Sequence, residues 1–330
     1  MSQPATIKPT DAAIKAYHGA LETYAAHGAE HEGATETAFS QLLAVTAKPH
    51  GWTLIPKKKL KVGGKLIYPD GTLQDAHFLR RGYWEAKDTH DDLAAEIGKK
   101  RAKGYPLVNT IFEDTTRAVL FQNGKEVAAP YDLKQPQAVA DLLNSFYRHT
   151  EPDIEGFEQA VKEFSARVPE LGAGLKEKLD KAHKDNAKFQ AAFEQFFALC
   201  QTALNPNIRR EAVDEMLIQH LLTERLFRKI FHDEEFTRRN VIASEVETVI
   251  AALVSKSFSR ADFLKSLDKF YKAIEGAAET IDDFADKQHF LNTVYERFFQ
   301  GYSVKTADTH GIVYTPQPIV DFMCASVEEV

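Results

Sequence analysis

The chain has 330 residues, 44% of them hydrophobic and 27% charged, a composition that supports two or three globular domains. Its formal net charge of −7 excludes a uniformly basic nucleic-acid binder but leaves room for a local basic surface. There is no run of eighteen apolar residues and no apolar signal core, so neither a membrane span nor secretion is expected. Cys200 and Cys324 stand far apart, with no disulfide framework and no zinc spacing, and a reducing cytoplasm is the expected compartment.

In chain order, residues 11–26 read as a helix carrying Ile14, Tyr17, Leu21 and Tyr24 on one stripe. Residues 34–47 read as a second, with Phe39, Leu42 and Leu43 inward and Pro49 and Gly51 as its stop. The period then shortens. WTLIP, KLKV and KLIY are strand-like pieces separated by Gly63-Gly64 and Pro69-Asp70-Gly71. TLQDAHF and GYWEAK read as two strands joined near Arg80-Arg81. A helix over 91–103 ends at Gly104, a strand pair LVNTIFED and RAVLFQNG follows, and residues 136–148 form another helix. This order predicts an α/β domain with a central mixed sheet over residues 1–150. Residues 151–300 have few strand signals and a helical period, with breaks at Asn205-Pro206 and near Gly276, which predicts an all-α domain of about six helices. Residues 301–330 change again: HGIVYTPQPIVDFM is a loop with two prolines leading into a helix, and the sequence ends inside that helix, as a chain that continues would.

The chemistry-bearing residues lie in the first domain. Asp70 follows Pro69, and fourteen residues separate it from Glu85-Ala86-Lys87. Side chains alternate along a strand, so Glu85 and Lys87 share a face while Trp84 and Ala86 turn to the other layer. Asp70 and Glu85 together would suit Mg²⁺, a hard ion that takes oxygen ligands. Such an ion acidifies a bound water and neutralises charge on a phosphate, and Lys87 would orient that water or stabilise developing charge. Glu36 lies three residues before Phe39 and seven before Leu43, so it shares their apolar face and needs a partner there, which a metal would supply. Asp75 is the alternative metal aspartate: with a turn at Arg80-Arg81 it would lie nearly opposite Ala86. Around these residues lies a basic cluster, from which Lys57, Lys58, Lys59, Arg80 and Arg81 are the expected DNA contacts. The plainer account of each feature is a surface ion pair or a solvated basic face.

Glu36, Pro69-Asp70 and Glu85-Ala86-Lys87 resemble the helix glutamate, PD and ExK of the PD-(D/E)xK nuclease superfamily. The stretch PDGTLQDAHFLRRGYWEAKDTHDDL, with KGYPLVNTIFED and AVLFQNG, is similar to the N-terminal nuclease of single-chain restriction–modification enzymes of the type IIG and type ISP groups. That resemblance implies a Mg²⁺-dependent endonuclease acting on double-stranded DNA in phage defence, with Asp70, Glu85, Lys87 and Glu36 as its catalytic set. It implies a helical connector after the nuclease, then an adenine methyltransferase, and self-association where both strands are cut. Gly311-Ile312-Val313-Tyr314-Thr315-Pro316 resembles the opening of such a methyltransferase, where Tyr314, Thr315 and Pro316 would line an S-adenosylmethionine pocket in a longer protein. The catalytic (N/D)-P-P-(Y/F) motif is absent, and so is a G-x-x-x-x-G-K-[ST] motor motif, which favours the motor-free layout. Gly71 departs from the superfamily, which usually has an apolar residue after the aspartate. The reading of a different class is a non-catalytic DNA-binding or regulatory module on a nuclease-like fold.

Overall fold

The computed structural model describes residues 6–29, 32–62, 65–128, 130–231, 241–254, 259–265, 267–281 and 283–295, with isolated positions at 319, 323, 325 and 326. Two units pack separately. The first comprises Met1–Gln159 and Ala273–Val294, and the second includes Ala160–Lys272.

In the first unit, helices α1 (Ala12–Ala26) and α2 (Glu32–Ala47) precede strand β1 (Thr53–Pro56). A small hairpin, β2 (Leu60–Val62) with β3 (Lys65–Ile67), stands apart as its own two-stranded sheet. Strands β4 (Gly71–Gln74) and β5 (Arg80–Ala86) form the central antiparallel pair. Helix α3 (Leu93–Ala102) then carries the chain over to β6 (Asn109–Glu113), which lies parallel to β5, as a parallel pair requires a crossover of this kind. Strands β7 (Arg117–Gln122), β8 (Lys125–Glu126) and β9 (Tyr131–Asp132) complete a seven-stranded mixed sheet, ordered β1-β4-β5-β6-β7-β8 with β9 also on β7. Helix α4 (Pro136–Arg148) closes the α/β part.

Strand alternation sorts the sheet's side chains into two layers. Trp84, Ala86, Ile111 and Leu120 meet Phe39, Leu43, Leu143 and Phe146 of α2 and α4 in the main core. On the opposite face Phe112, Val119 and Phe121 pack on Leu93 and Ile97 of α3. Tyr83 packs there with Leu60 and Ile67 of the small hairpin. Gly82 lies under α4 because space demands it: a Cβ there would come within 2.4 Å of the Phe146 ring. The segment returning from later in the chain covers the tip of the β4–β5 hairpin. Phe78 stacks on His289 with centroids 4.8 Å apart, and Phe157 lies between His77 and Phe290.

The structure moves the hairpin turn. It spans Asp75 to Leu79, with the Asp75 N–H donating to Leu79 O and the Phe78 N–H to Asp75 O, both at 3.0 Å. Arg80 and Arg81 therefore belong to β5, and the register pairs Gly71 with Trp84 and Gln74 with Arg80 across a bulge. Asp70, just before β4, thus stands beside the Glu85-Ala86 end of β5, and Asp75 lies at the far end of the hairpin.

The second unit is helical among its described residues. Helix α5 (Pro152–Asp185) starts in the first unit and is followed by α6 (Ala187–Ala203), α7 (Arg210–Phe231), α8 (Val241–Leu253), α9 (Arg260–Lys265) and α10 (Asp268–Glu279). Residues 284–295 are again helical, and up to Val294 they belong to the first unit. The break expected near Gly276 is absent, since that glycine lies inside α10 and the helix yields only after Glu279. Leu217, Leu221, Val249 and Ile250 are buried, as a helical stripe requires. Phe164 stacks on Phe270 with centroids 3.7 Å apart. Asp214 is buried and held by Lys176 at 2.8 Å and His183 at 2.9 Å, so it is a satisfied structural charge.

Candidate active site

The C-terminal end of β5, the entry to β4 and the first turns of α2 bring four sequence-predicted residues together. Asp70 is buried: its Oδ2 accepts the Ala86 N–H at 2.9 Å, and its Oδ1 accepts from the Lys57 ammonium. The same ammonium lies 3.0 Å from Glu36 Oε1, so Lys57 ties the α2 glutamate to Asp70. Lys57 reaches there from a left-handed backbone conformation, φ 49°. Glu85 is fully buried on the α3 side of the sheet. Its Oε2 accepts from Lys100 of α3 and lies 3.8 Å from the Lys87 ammonium. Its Oε1 is buried without a hydrogen-bond partner among the described residues.

These surroundings set the charges. Burial pushes the Glu85 carboxyl up to about 7, with the Asp70 charge adding to the rise against Lys100 and Lys87. Burial also works to lower the Lys57 ammonium, but its bonds to Asp70 and Glu36 outweigh that and hold it well above the usual lysine range. Glu113, on the parallel neighbour β6, is pushed up to about 8 by burial, despite bonds from the Thr115 N–H at 2.7 Å and Trp84 Nε1 at 3.2 Å. Three carboxylates are thus held by three ammonium groups drawn from different parts of the chain. Among the described residues, no three His, Cys, Asp or Glu side chains already stand around a common point suited to a metal ion.

Asp75, the alternative, is engaged elsewhere. Its Oδ1 accepts the N–H groups of His77 at 2.7 Å and Leu79 at 3.1 Å, which shapes the turn. Its Oδ2 accepts two bonds from Arg81, at 2.8 and 2.6 Å, and Arg81 also donates to Glu158. Gly71, the departure from the family pattern, has a local cause: a Cβ there would lie 2.6 Å from Leu54 Cδ1 and 2.8 Å from Trp84 Cε3.

The expected DNA-contact residues scatter. Lys57 lies in the site itself. Lys58 is paired with Asp286 at 2.8 Å and with Gln74 at 3.2 Å. Arg81 is buried in its ion pairs, Arg80 is half-buried and Lys59 is exposed. Tyr314, Thr315 and Pro316 lie outside the described residues. Lys100 was not singled out from the sequence. It lies three residues after Ile97 and seven after Leu93, on the buried stripe of α3. That is the same signal that marks Glu36.

The helical region has relatives. Residues 157–286 match the family described as type ISP restriction-modification enzyme, coupler domain. Among solved structures the chain is similar to DrdV in a cryoEM structure of its complex with DNA. There it shows 37% identity and a TM-score of 0.56, covering 94% of this chain and 31% of that one. It is also similar to the ATP-dependent type ISP restriction-modification enzyme LlaBIII bound to DNA, at 25% identity and a TM-score of 0.41 over 57% of this chain and 12% of that one. No curated protein matches. The chain therefore carries a type ISP coupler region, and it spans under a third of the DrdV chain's length.

Proposed function

We propose that the first unit is the Mg²⁺-dependent DNA endonuclease of a restriction–modification enzyme, built on the PD-(D/E)xK plan, with the helical region as its coupler. The observation that carries this is the Glu85 carboxylate. It is fully buried, keeps one oxygen without a partner and stands beside a second buried carboxylate, Asp70. A buried acceptor left unpaired costs free energy, and a functional role is one of the few reasons to keep it so. The residues fit a hard divalent cation: Asp70, Glu85 and Glu36 supply oxygen donors, and lysine ammonium groups already stand against them.

Asp70, Glu85 and Glu36 are the residues that would hold Mg²⁺. When bound, the ion supplies an acidified water and charge neutralisation at the scissile phosphate. Lys87, whose ammonium lies 3.8 Å from Glu85 Oε2, would stabilise negative charge developing on that phosphate. Asp70 Oδ2, fixed by the Ala86 N–H, keeps its carboxylate in register with Glu85. Lys100 holds the second Glu85 oxygen and so orients the first. Double-stranded DNA is the substrate, and pairing of two chains would serve cleavage of both strands. In a longer protein Tyr314, Thr315 and Pro316 would open an adenine methyltransferase using S-adenosylmethionine, and the cytoplasm is the proposed compartment.

The test is a nicking assay on supercoiled DNA with and without Mg²⁺, in the 330-residue chain, for wild type and Glu85→Ala. Metal-dependent nicking lost in the variant supports the reading, and nicking that survives in Glu85→Ala defeats it. One observation favours the non-catalytic DNA-binding module: among the described residues, lysines stand where a cation would, and no ready-made metal cluster exists. Absence of metal-dependent nicking alongside intact DNA binding would decide for that module.

A further inference from the structure

Next to the site lies a cleft of about 530 Å³ between the β3 side of the small hairpin and the end of α3. Lys65, Leu66 and Tyr68 line one wall, and Lys103 and Tyr105 the other. No acidic residue lines it. Lys65 and Lys103 are both exposed, and neither makes an ion pair among the described residues. This sets them apart from Lys57, Lys58, Lys99 and Lys100, each of which faces a carboxylate. Tyr68 and Leu66 are 50% and 54% exposed, which leaves apolar surface in water between two free cations.

The cleft leads into the site. Tyr68 is two residues before Asp70 and separated from it only by Pro69. The Tyr105 hydroxyl donates to Tyr68 O at 3.4 Å. The Tyr105 ring lies under the Lys100 ammonium, 4.3 Å from its centroid, and Lys100 holds Glu85. The cleft wall is thus continuous, through Tyr68, Tyr105 and Lys100, with the residues that hold Asp70 and Glu85.

Resting on the nuclease reading above, we propose that this cleft holds the DNA strand running away from the scissile phosphate, with Lys65 and Lys103 on successive backbone phosphates and Tyr68 packed against a sugar or base. A polyanion matches the unopposed charge, and an exposed ring between cations is the pattern that accommodates a nucleic-acid strand. This places the DNA path on the β3–α3 side, away from Lys58 and Arg81.

The experiment measures binding of the 330-residue chain to a short duplex by fluorescence anisotropy in Ca²⁺ across a salt series. Lys65→Gln/Lys103→Gln should bind about tenfold more weakly at low salt, with the slope of log K against log salt reduced by about 1.8. Tyr68→Ala should weaken binding about tenfold with the slope unchanged. Both sites are exposed, so unfolding midpoints should stay at the wild-type value and confirm folded variants. An unchanged slope in the lysine pair overturns the proposal, as does wild-type chain that fails to bind the duplex at low salt. Equal competition by polyglutamate, lost in the same variants, overturns it in favour of an acidic protein partner. Failure of the nuclease reading shows separately, as nicking that survives Glu85→Ala.

Discussion

The two ends of the β4–β5 hairpin each bury an aspartate beside basic side chains, and they end in opposite states. At the turn, every Asp75 oxygen is occupied by Arg81, His77 or Leu79, and Arg81 divides its guanidinium between Asp75 and Glu158. At the strand end, Asp70 and Glu85 are both buried, yet Glu85 Oε1 has no partner among the described residues and its carboxyl is pushed up to about 7 by burial and by Asp70. A closed cluster of this kind fixes a turn, whereas an open one keeps free energy in reserve for a ligand. Burial of an acidic residue therefore says little by itself; the unpaired oxygen of Glu85, beside an Asp70 whose own oxygens both accept, separates this end from the turn.

The sharpest way to break this contrast is through activity. Asp70→Ala and Glu85→Ala should each lower Mg²⁺-dependent cleavage at least ~10³-fold, about 4 kcal/mol of barrier. Asp75→Ala should leave the rate per folded molecule within about tenfold. Cleavage kept in Asp70→Ala and lost in Asp75→Ala would exchange the roles of the two ends.

Stability should show the reverse. Asp75→Ala strips one carboxylate from the buried Arg81, and breaking a buried pair costs roughly 3–5 kcal/mol, here nearer the lower figure because Glu158 remains. Urea unfolding reads this directly, and a loss under about 1 kcal/mol would show that the turn cluster is not structural.

Glu113 tests the electrostatics behind the open end without touching the proposed ligands. Burial pushes its carboxyl up to about 8, from an ordinary value of 4.5. Between those values the folded chain holds a proton that the unfolded chain has released. The contribution of Glu113 to stability therefore falls as pH rises from 4.5 to about 8 and is level above that. Glu113→Gln should remove this fall, a few kcal/mol across the window. Unfolding of wild type and variant at a series of pH values measures it, and parallel profiles would refute it.

Much of this arrangement was legible before the fold was known. Periodicity placed α1 to α4 and five strands of the sheet because their apolar stripes meet real layers, such as Phe39 and Leu43 against Trp84; the two-residue β8 and β9 are too short to carry a period. The hairpin turn was misplaced for a specific reason. The sequence suggests a join at Arg80-Arg81, while the true turn, Asp75 to Leu79, puts Phe78 at φ 63°, a conformation its residue type does not advertise. Glu36 was found by its place on a buried stripe, and Lys100 was equally visible by that rule. Lys58 was not, because its partner Asp286 lies 228 residues away, and Arg81 is matched both by Glu158, 77 residues away, and by Asp75, whose place beside it depends on where the turn falls. Charge clustering in sequence cannot distinguish a free lysine from one matched at such a distance.

Gly71 sharpens the contrast from the packing side. Gly71→Ala forces a methyl to within 2.8 Å of the Trp84 ring and 2.6 Å of Leu54, directly beside Asp70. Overpacking of this kind costs roughly 1–3 kcal/mol. Its expected signature is a lowered unfolding midpoint together with weakened Ca²⁺ binding, since the strand that carries Asp70 must shift. Normal stability and normal Ca²⁺ affinity together would show that Leu54 yields alone.

The smallest stability effect belongs to Lys57. Its side chain is 56% exposed, so its bridge between Glu36 and Asp70 is screened by water and worth at most about 1 kcal/mol. Lys57→Ala should therefore barely move the unfolding midpoint. Its effect on Ca²⁺ should be opposite in sign to that of Gly71→Ala, because the ammonium sits on the oxygens a cation needs. Removing it leaves Glu36 and Asp70 repelling one another, and a divalent ion relieves that repulsion. Calorimetry should show Ca²⁺ binding tightened several-fold in Lys57→Ala and restored toward wild type in Lys57→Arg, which keeps the competing charge. Weaker Ca²⁺ binding in Lys57→Ala would mean that Lys57 positions the carboxylates instead of competing for them. The open end of the hairpin would then be held in shape by its lysines, as the closed end is held by Arg81.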